Sequence, residues 1–148
     1  MYINWDSNVY VNGVEEPVYG NYGGFGYSNW GSAPVDSLDT LFYNHDLAYA
    51  NGTDATSADR TLLNGMVALS DSQLVTGGDT EAALYAGFAE LGMIGKLVTE
   101  GYHFSFWELS RDVSDAYHNI QIGLSGLNST ESASLQNWLV ETGGTLLI

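Results

Sequence analysis

Apolar residues recur three or four positions apart over most of the chain, which is the spacing of amphipathic α-helices. Five such stretches are separated by capping residues and by glycines. The first twenty residues differ, because valine and aromatic residues occur there in short runs typical of β-strands. The pattern therefore predicts one domain over residues 1–148 that is mainly α-helical, with a short β-hairpin near its start.

Turn and capping residues predict where these elements begin and end. Asn12-Gly13 lies between two valines and predicts the hairpin turn. Asp36 precedes the first helix as an N-cap, with Asp39 in the position of a capping-box acid, and Asn51-Gly52 ends that helix. Because glycine weakens a helix interior, the glycines in the second half of the third helix leave undetermined where that helix ends. The other helices are expected to begin near Thr56 or Ser57, at Asp79 or Thr80, at Ser105, and at Asn128 or Ser129.

The composition narrows the classes of function. Acidic residues number 18 against three strong bases, Arg60, Lys96 and Arg111, so the formal net charge is −15. A nucleic-acid-binding surface needs clustered lysine and arginine, which this chain does not have. A strongly anionic membrane is disfavoured as a partner for the same reason. Because the sequence contains no cysteine, hydrophobic packing and bound metal are the remaining ways to stabilise the fold.

Two kinds of targeting segment are not seen in the sequence. The first residues, MYINWDSNVY, lack a basic stretch followed by an apolar run, so we expect no N-terminal signal peptide. No stretch approaches the ~20 apolar residues that span a bilayer. If the protein is exported, we expect a route that reads no N-terminal signal.

The stretch from Tyr22 to Tyr49 carries the candidate chemistry. A glycine-rich segment, which can bring its backbone close to a ligand, leads into the first helix. On that helix His45 and Tyr49 lie four residues apart on an otherwise apolar face, where a buried structural histidine is the plain alternative. Asp46 lies on a face turned by roughly 100°. A carboxylate beside backbone carbonyls freed by the glycine-rich segment is an oxygen-rich site suited to Ca²⁺.

These residues form a combined pattern that resembles the secreted phospholipase A2 family. The resemblance covers residues 22–49 and consists of Tyr22-x-Gly24-x-Gly26, then Pro34-Val35-Asp36-x-x-Asp39, then His45-Asp46-x-x-Tyr49. It implies a Ca²⁺ site made by the carbonyls of Tyr22, Gly24 and Gly26 and the carboxylate of Asp46. It also implies that His45 is the general base for water, and that the Gly24 N–H hydrogen-bonds to the developing oxyanion.

The sequence departs from the family in three ways. It lacks the disulfide cysteines, including those that flank the histidine, and is in this respect more similar to the cysteine-free viral or disulfide-poor bacterial members. Its loop is about three residues longer, with the insertion at Tyr27-Ser28-Asn29-Trp30. The third departure concerns the acid that orients the histidine, which the family places on an antiparallel partner helix.

Two acids are candidates for orienting His45, namely Asp59 and Asp79. His45 and Asp59 are each about seven residues from the Asn51-Gly52 turn, and residues equidistant from a helical-hairpin turn lie side by side. We therefore favour Asp59 as the acid that orients His45. The resemblance implies that Tyr49 would hold Asp59 in place. Each acid also has a structural alternative: Asp59 would be a capping-box acid, and Asp79 would be a helix N-cap.

The resemblance implies a secreted enzyme that hydrolyses the sn-2 ester of glycerophospholipids with Ca²⁺, at phospholipid aggregates or a membrane surface. Phe25, Tyr27 and Trp30 lie near the loop, and the sequence suits them equally to a lipid interface and to the core. One alternative is a catalytically silent module that binds calcium and lipid. Another is an acidic helical interaction domain in which the motif is a coincidence. The head-group preference and the oligomeric state stay open.

Overall fold

The computed structural model describes residues 2–148, which form two short strand pairs and six helices. The strands are β1 (Ile3–Asn4), β2 (Tyr10–Val11), β3 (Val14–Glu15) and β4 (Val18–Tyr19). The helices are α1 (Ser37–Ala50), α2 (Ala55–Ala68), α3 (Asp71–Leu74), α4 (Glu81–Thr99), α5 (Phe106–Ser125) and α6 (Ser129–Thr142). The mainly helical class with a short β-hairpin is confirmed. Within residues 2–148, no helix combines the length with the apolar character that crossing a membrane requires.

The start of the chain folds as two antiparallel strand pairs. β2 and β3 form the predicted hairpin. Its two-residue turn has positive φ at both Asn12 (+52°) and Gly13 (+81°), as this tight turn requires. β1 pairs with β4, Ile3 opposite Tyr19, and this pairing of distant residues leads the chain into the glycine-rich loop.

Side-chain caps explain where the helices begin. Asp36 and Ser105 each accept a hydrogen bond from the N–H three residues on, as predicted for N-caps. α2 begins slightly earlier than expected, because Asp54 is its N-cap and accepts a hydrogen bond from the Ser57 N–H at 3.0 Å. The four-residue helix α3 was not predicted, since a single turn is too short to show an apolar period.

α1 and α2 form an antiparallel helical hairpin around the turn at residues 51–54. Contacts along the two helices run in opposite directions, because His45 meets Asp59 near the turn and Leu41 lies against Gly65 farther from it. α4 packs against α2 and, most extensively, along α5. The fold therefore brings α1, α2 and α4 together at one end of the hairpin.

α4 is the most buried of the helices, and its glycines allow that burial. The sequence left open whether the helix continues past Gly92 and Gly95, and it runs unbroken to its end at Thr99. A Cβ at Gly92 would overlap the carbonyl oxygen of Leu146. Close packing of the segment 144–148 against the helix backbone therefore offsets the weak helix propensity of glycine.

Gly123 tests the close packing of α5 on α4, because a Cβ there would overlap Leu84. We expect Gly123→Ala to lower the free energy of unfolding by about 2 kcal/mol, since overpacking forces the helices apart. Gly95→Ala is the matched control. A Cβ at Gly95 meets no described atom within 4 Å, so this substitution should raise the free energy of unfolding by about 1 kcal/mol. Urea denaturation measures both, and effects of the same sign would contradict the interpretation.

A cluster of acids is buried between α4 and α5. Glu90 is fully buried and accepts a hydrogen bond from the Asn119 amide at 2.8 Å. Burial, followed by the charge of Asp115, raises the pKa of Glu90 to about 9, and Asp112 raises it further in the same direction. The folded protein therefore holds a proton on Glu90 at neutral pH.

This proton makes the stability depend on pH. Below about pH 4.5 the folded and unfolded chains both carry it, whereas between about pH 4.5 and 9 only the folded chain keeps it. The free energy of unfolding therefore falls as the pH rises through this window, by at most about 1.4 kcal/mol per pH unit for one proton. Glu90→Gln removes this slope, because glutamine imitates the protonated acid without titrating.

Thermal unfolding at pH 4 and pH 8 measures the Glu90 contribution. We expect Glu90→Gln to raise the melting temperature at pH 8 and to change it little at pH 4. Glu141→Gln, at an exposed position, is the control and should change neither value appreciably. A melting temperature for Glu90→Gln below that of the wild type at pH 8 would contradict the prediction.

Candidate active site

A buried carboxylate joins the glycine-rich loop to α1. Asp39 is fully buried, and it accepts hydrogen bonds from the backbone N–H groups of Asn21, Tyr22 and Val35 at 3.0, 2.9 and 3.0 Å. The prediction that Asp39 acts as a capping-box acid was wrong, because its oxygens receive these three donors instead of the N–H of Asp36. The beginning of the loop is thereby held at the N-terminal end of α1.

Aromatic packing holds the rest of the loop. The ring of Tyr22 is buried and packs edge-on against Tyr43 of α1 and against Trp30, with centroid distances of 4.9 and 5.7 Å. Its hydroxyl donates a hydrogen bond to the Ser32 carbonyl at 2.6 Å. Phe25 and Trp30 are 49% and 52% exposed, so neither belongs to the core. The inserted segment 27–30 therefore packs back onto the loop that it lengthens.

His45, Tyr49 and Asp59 form a hydrogen-bonded group across the α1–α2 hairpin. Asp59 Oδ1 lies 2.7 Å from His45 Nε2 and accepts a hydrogen bond from the Tyr49 hydroxyl at 2.8 Å. The other ring nitrogen of His45, Nδ1, lies 3.8 Å from Asp46 Oδ1. His45 is 7% exposed and Asp59 is completely buried. The contact between His45 and Asp59 that the turn spacing predicts is present. Nε2 of His45 faces Asp59, and Nδ1 faces Asp46.

Asp79, the alternative partner for His45, lies outside this group. Its carboxylate accepts a hydrogen bond from the Glu81 N–H at 2.9 Å, at the start of α4, where Thr80 is the N-cap residue. Asp79 therefore makes a contact at the helix N-terminus, as in the alternative interpretation that it caps this helix. The geometry therefore pairs His45 with Asp59.

Sequence reasoning missed a fourth member of the group, Lys96. Its ammonium approaches from α4 and lies 3.2 Å from Asp59 Oδ2 and 2.8 Å from the Tyr49 hydroxyl oxygen. It also lies 4.9 Å from the centre of the Tyr49 ring. One signal was visible, because Lys96 is the only lysine in the chain and lies in an otherwise apolar part of α4, between Leu91 and Val98. Nothing in the spacing indicated which acid it would pair with.

The charges of this group shift the pKa values of its members. Burial raises the pKa of Asp59, but the side-chain interactions with His45, Glu100 and Tyr49 and the charge of Lys96 outweigh burial, so the pKa lies below its usual range. Burial lowers the pKa of His45, whereas Asp46 and Asp59 raise it, and the net shift is upward. Asp59 is therefore ionised at neutral pH and can stabilise a protonated imidazole.

A cavity of about 370 Å³ opens beside His45. Its walls come from the glycine-rich loop, α1, α4 and Ile148. Of the residues predicted to act in the site, five line it: Gly24, Gly26, His45, Asp46 and Tyr49. Asp59 is buried behind His45, and Tyr22 is not part of the wall. The structure thus brings most of the predicted site together around one opening.

The oxygen atoms around this cavity are of the kind that calcium prefers. Asp46 supplies a carboxylate, whose Oδ2 also accepts a hydrogen bond from the Ser28 hydroxyl at 2.7 Å. At Gly24 the φ angle is +147°, and a Cβ there would strike Val18 at 2.8 Å, so glycine is needed to bring the loop backbone to this wall. No cluster of three acidic or histidine side chains suited to a metal occurs in residues 2–148. A cation here would therefore depend on Asp46 with backbone and hydroxyl oxygens, a donor set that fits Ca²⁺.

A second cavity, of about 580 Å³, shares part of its wall with the first. Phe25, Lys96 and Ile148 line both cavities. The rest of the larger one is formed mainly by glycines and apolar residues of α4 and of the segment 144–148. The cavity beside His45 therefore adjoins a larger space that is also mainly apolar.

Asp39→Asn tests the connection between the loop and α1. An amide in place of the carboxylate turns one acceptor into a donor that faces backbone N–H groups, so we expect the free energy of unfolding to fall by about 2–3 kcal/mol. Asp54→Asn is the matched control, because asparagine caps a helix as well as aspartate does. Urea denaturation measures both variants. A loss for Asp39→Asn no larger than that for Asp54→Asn would contradict the assigned role.

Comparisons of the chain with protein-family models, with curated proteins and with solved structures gave no match. The resemblance to secreted phospholipases A2 therefore stays a prediction from the residues of the loop and α1. The function has to be argued from the geometry of the site itself.

Proposed function

We propose that the protein is a calcium-dependent hydrolase that cleaves the sn-2 ester of glycerophospholipids, in the manner of a phospholipase A2. The observation that carries the proposal is the orientation of His45. Its Nε2 contacts a buried carboxylate, while its Nδ1 is on the side of Asp46 and the ring lines a cavity. A structural histidine needs no such cavity, whereas a general base needs room for the water that it deprotonates.

Each residue around the cavity has a role in this proposal. His45 Nδ1 takes a proton from a water molecule, which attacks the ester carbonyl carbon, and Asp59 stabilises the imidazolium that forms. The bond from that carbon to the sn-2 oxygen then breaks, and the imidazolium returns its proton to the leaving oxygen. The Gly24 N–H donates a hydrogen bond to the oxyanion. The ligands proposed for Ca²⁺ are the carbonyls of Tyr22, Gly24 and Gly26 and the carboxylate of Asp46. Calcium bound there would supply an electrophile for the ester carbonyl oxygen and for the substrate phosphate.

The surroundings of the cavity support a lipid as the substrate. The larger apolar cavity next to it suits an acyl chain. Phe25 lines the cavity and is half exposed, as is Trp30 of the same loop, and aromatic side chains of this kind settle at the interface between lipid and water. The net charge of −15 favours a zwitterionic over an anionic surface. We propose phospholipid aggregates or membranes as the peripheral partner.

The calcium site also bears on where the protein would work. A single carboxylate with loop carbonyls makes a weak site, of the order of 10⁻⁴–10⁻³ M as in extracellular calcium modules. Such a site fills only where calcium is abundant. A location outside the cell therefore belongs to the same proposal.

Fatty-acid release from phosphatidylcholine micelles, with calcium and with a chelator, tests the proposal. We expect release that depends on calcium and that falls by at least about 10²-fold in His45→Gln, because glutamine cannot accept the proton. Calorimetric titration should show that His45→Gln still binds calcium and that Asp46→Asn does not. His103→Gln, at an exposed histidine, is the matched control and should behave as the wild type does.

Three results would count against the proposal. Release that persists with a chelator would remove calcium from the reaction, and release retained in His45→Gln would remove His45 as the base. Calcium binding without any release would instead identify a silent calcium-binding module.

A further inference from the structure

Lys96 connects Asp59 to two other parts of the molecule. Its ammonium lies 3.2 Å from Asp59 Oδ2, and it donates hydrogen bonds to the Tyr49 hydroxyl at 2.8 Å and to the Ile148 carbonyl at 3.3 Å. The side chain is 30% exposed and lines both cavities, whereas Asp59 is completely buried. Lys96 therefore reaches, within this group, from the buried acid to the wall that the two cavities share.

We propose that Lys96 is a positioning residue of the candidate active site, whose ammonium fixes the Asp59 carboxylate and through it the ring of His45. Asp59 Oδ1 contacts His45 Nε2 and accepts hydrogen bonds from Tyr49 and, at 3.3 Å, from Lys96. Within residues 2–148, Asp59 Oδ2 accepts no hydrogen bond, and the Lys96 ammonium lies 3.2 Å from it as an ion pair. Rotation of the carboxylate about its last bond would break the hydrogen bonds at Oδ1 and move both oxygens relative to the ammonium, so these contacts oppose it. Oδ1 of Asp59 therefore stays on Nε2 of His45 and leaves Nδ1 on the side of the cavity.

The charge of the site requires a cation in this place. An ionised carboxylate without access to solvent is strongly destabilising unless it is paired. The other two strong bases are committed elsewhere, because Arg111 Nη2 pairs with Asp112 at 2.8 Å and Arg60 stacks on the Tyr102 ring. Lys96 is therefore the permanent positive charge available to Asp59.

The segment 144–148 holds Lys96 in this position. The Leu146 carbonyl packs against the α4 backbone at Gly92, one turn before Lys96, and the chain then continues to Ile148. There the Ile148 carbonyl accepts a hydrogen bond from the ammonium. The face of the Tyr49 ring lies on another side of the ammonium, 4.9 Å from it. Contacts from three sides leave the lysine little freedom to swing into solvent.

The consequence for catalysis rests on the proposed function, but the positioning itself can be measured without it. Nitrogen NMR of ¹⁵N-histidine-labelled protein, at a pH where His45 is neutral, reports which ring nitrogen carries the proton. We expect a single tautomer protonated at Nε2 in the wild type. In Lys96→Met we expect a mixture of both tautomers, because the freed carboxylate no longer fixes the ring.

Kinetics test the catalytic consequence. We expect Lys96→Met to lower kcat by about 10- to 100-fold, the loss typical of a displaced catalytic group, with KM and the calcium Kd changed by less than about threefold. Lys96→Arg keeps the charge and should recover most of kcat and the single tautomer. Arg111→Met is the matched control, because it also removes a cation from a buried acid but leaves kcat and the His45 spectrum unchanged.

The possible outcomes separate this inference from the proposed function. A wild-type protein that releases no fatty acid, together with a tautomer change in Lys96→Met, would overturn the proposed function and support the positioning role. An active wild type whose kcat and tautomer are both unchanged in Lys96→Met would overturn the inference alone.

A second route covers a Lys96→Met variant that does not fold. Acetylation of the folded wild type removes the charge of Lys96, since it is the only lysine in the chain. Acetylated Lys96→Arg controls for the N-terminal amine. Equal loss of kcat in both acetylated proteins would overturn the inference, and loss in the wild type alone would support it.

Discussion

The ion pair between Lys96 and the buried Asp59 carboxylate joins the three helices that build the candidate site. Asp59 stands near the start of α2, accepts hydrogen bonds from α1 through His45 and Tyr49, and faces α4 through Lys96. A buried charge is tolerated only when its partners are in place, so these helices cannot shift independently of one another. The orientation of the histidine is therefore a property of the whole three-helix contact.

The glycine-rich loop depends on a second buried carboxylate. Asp39 receives backbone N–H groups from both ends of the loop, and the Tyr22 ring packs on α1 and on the inserted segment. The chain has no cysteine with which to fix this loop covalently. The Asp39 carboxylate and the packed aromatic rings around Tyr22 instead hold the loop backbone in place near the candidate cation site. A loop held in this way has its stability coupled to that of α1.

The glycines of α4 serve two purposes at once. Where other chain segments cross, as at Gly92, the missing side chain allows backbone to pack on backbone. At Gly95 no side chain fills the space, and the larger cavity lies there. The same helix is therefore closely packed on some faces and lined by open volume on another. This combination places a mainly apolar space directly beside the charged side chains of Asp46 and Lys96.

The sequence by itself determined the helices with clear caps and the β2–β3 hairpin, and it favoured Asp59 over Asp79 as the partner of His45. Caps and tight turns act over three or four residues, so local rules were sufficient for the helices and the hairpin. A short turn between two helices makes equidistant positions neighbours, which favoured the pairing of His45 with Asp59 but left Asp79 as an alternative. Only the tertiary structure decided that Lys96, 37 residues beyond Asp59, completes the group, and that Asp39 binds the loop instead of capping its helix. It also decided that the side chain of Tyr22 packs inward and that β1 pairs with β4. A carboxylate accepts whichever donors the packing brings to it, and the packing of helices and loops distant in sequence is not written in any local pattern.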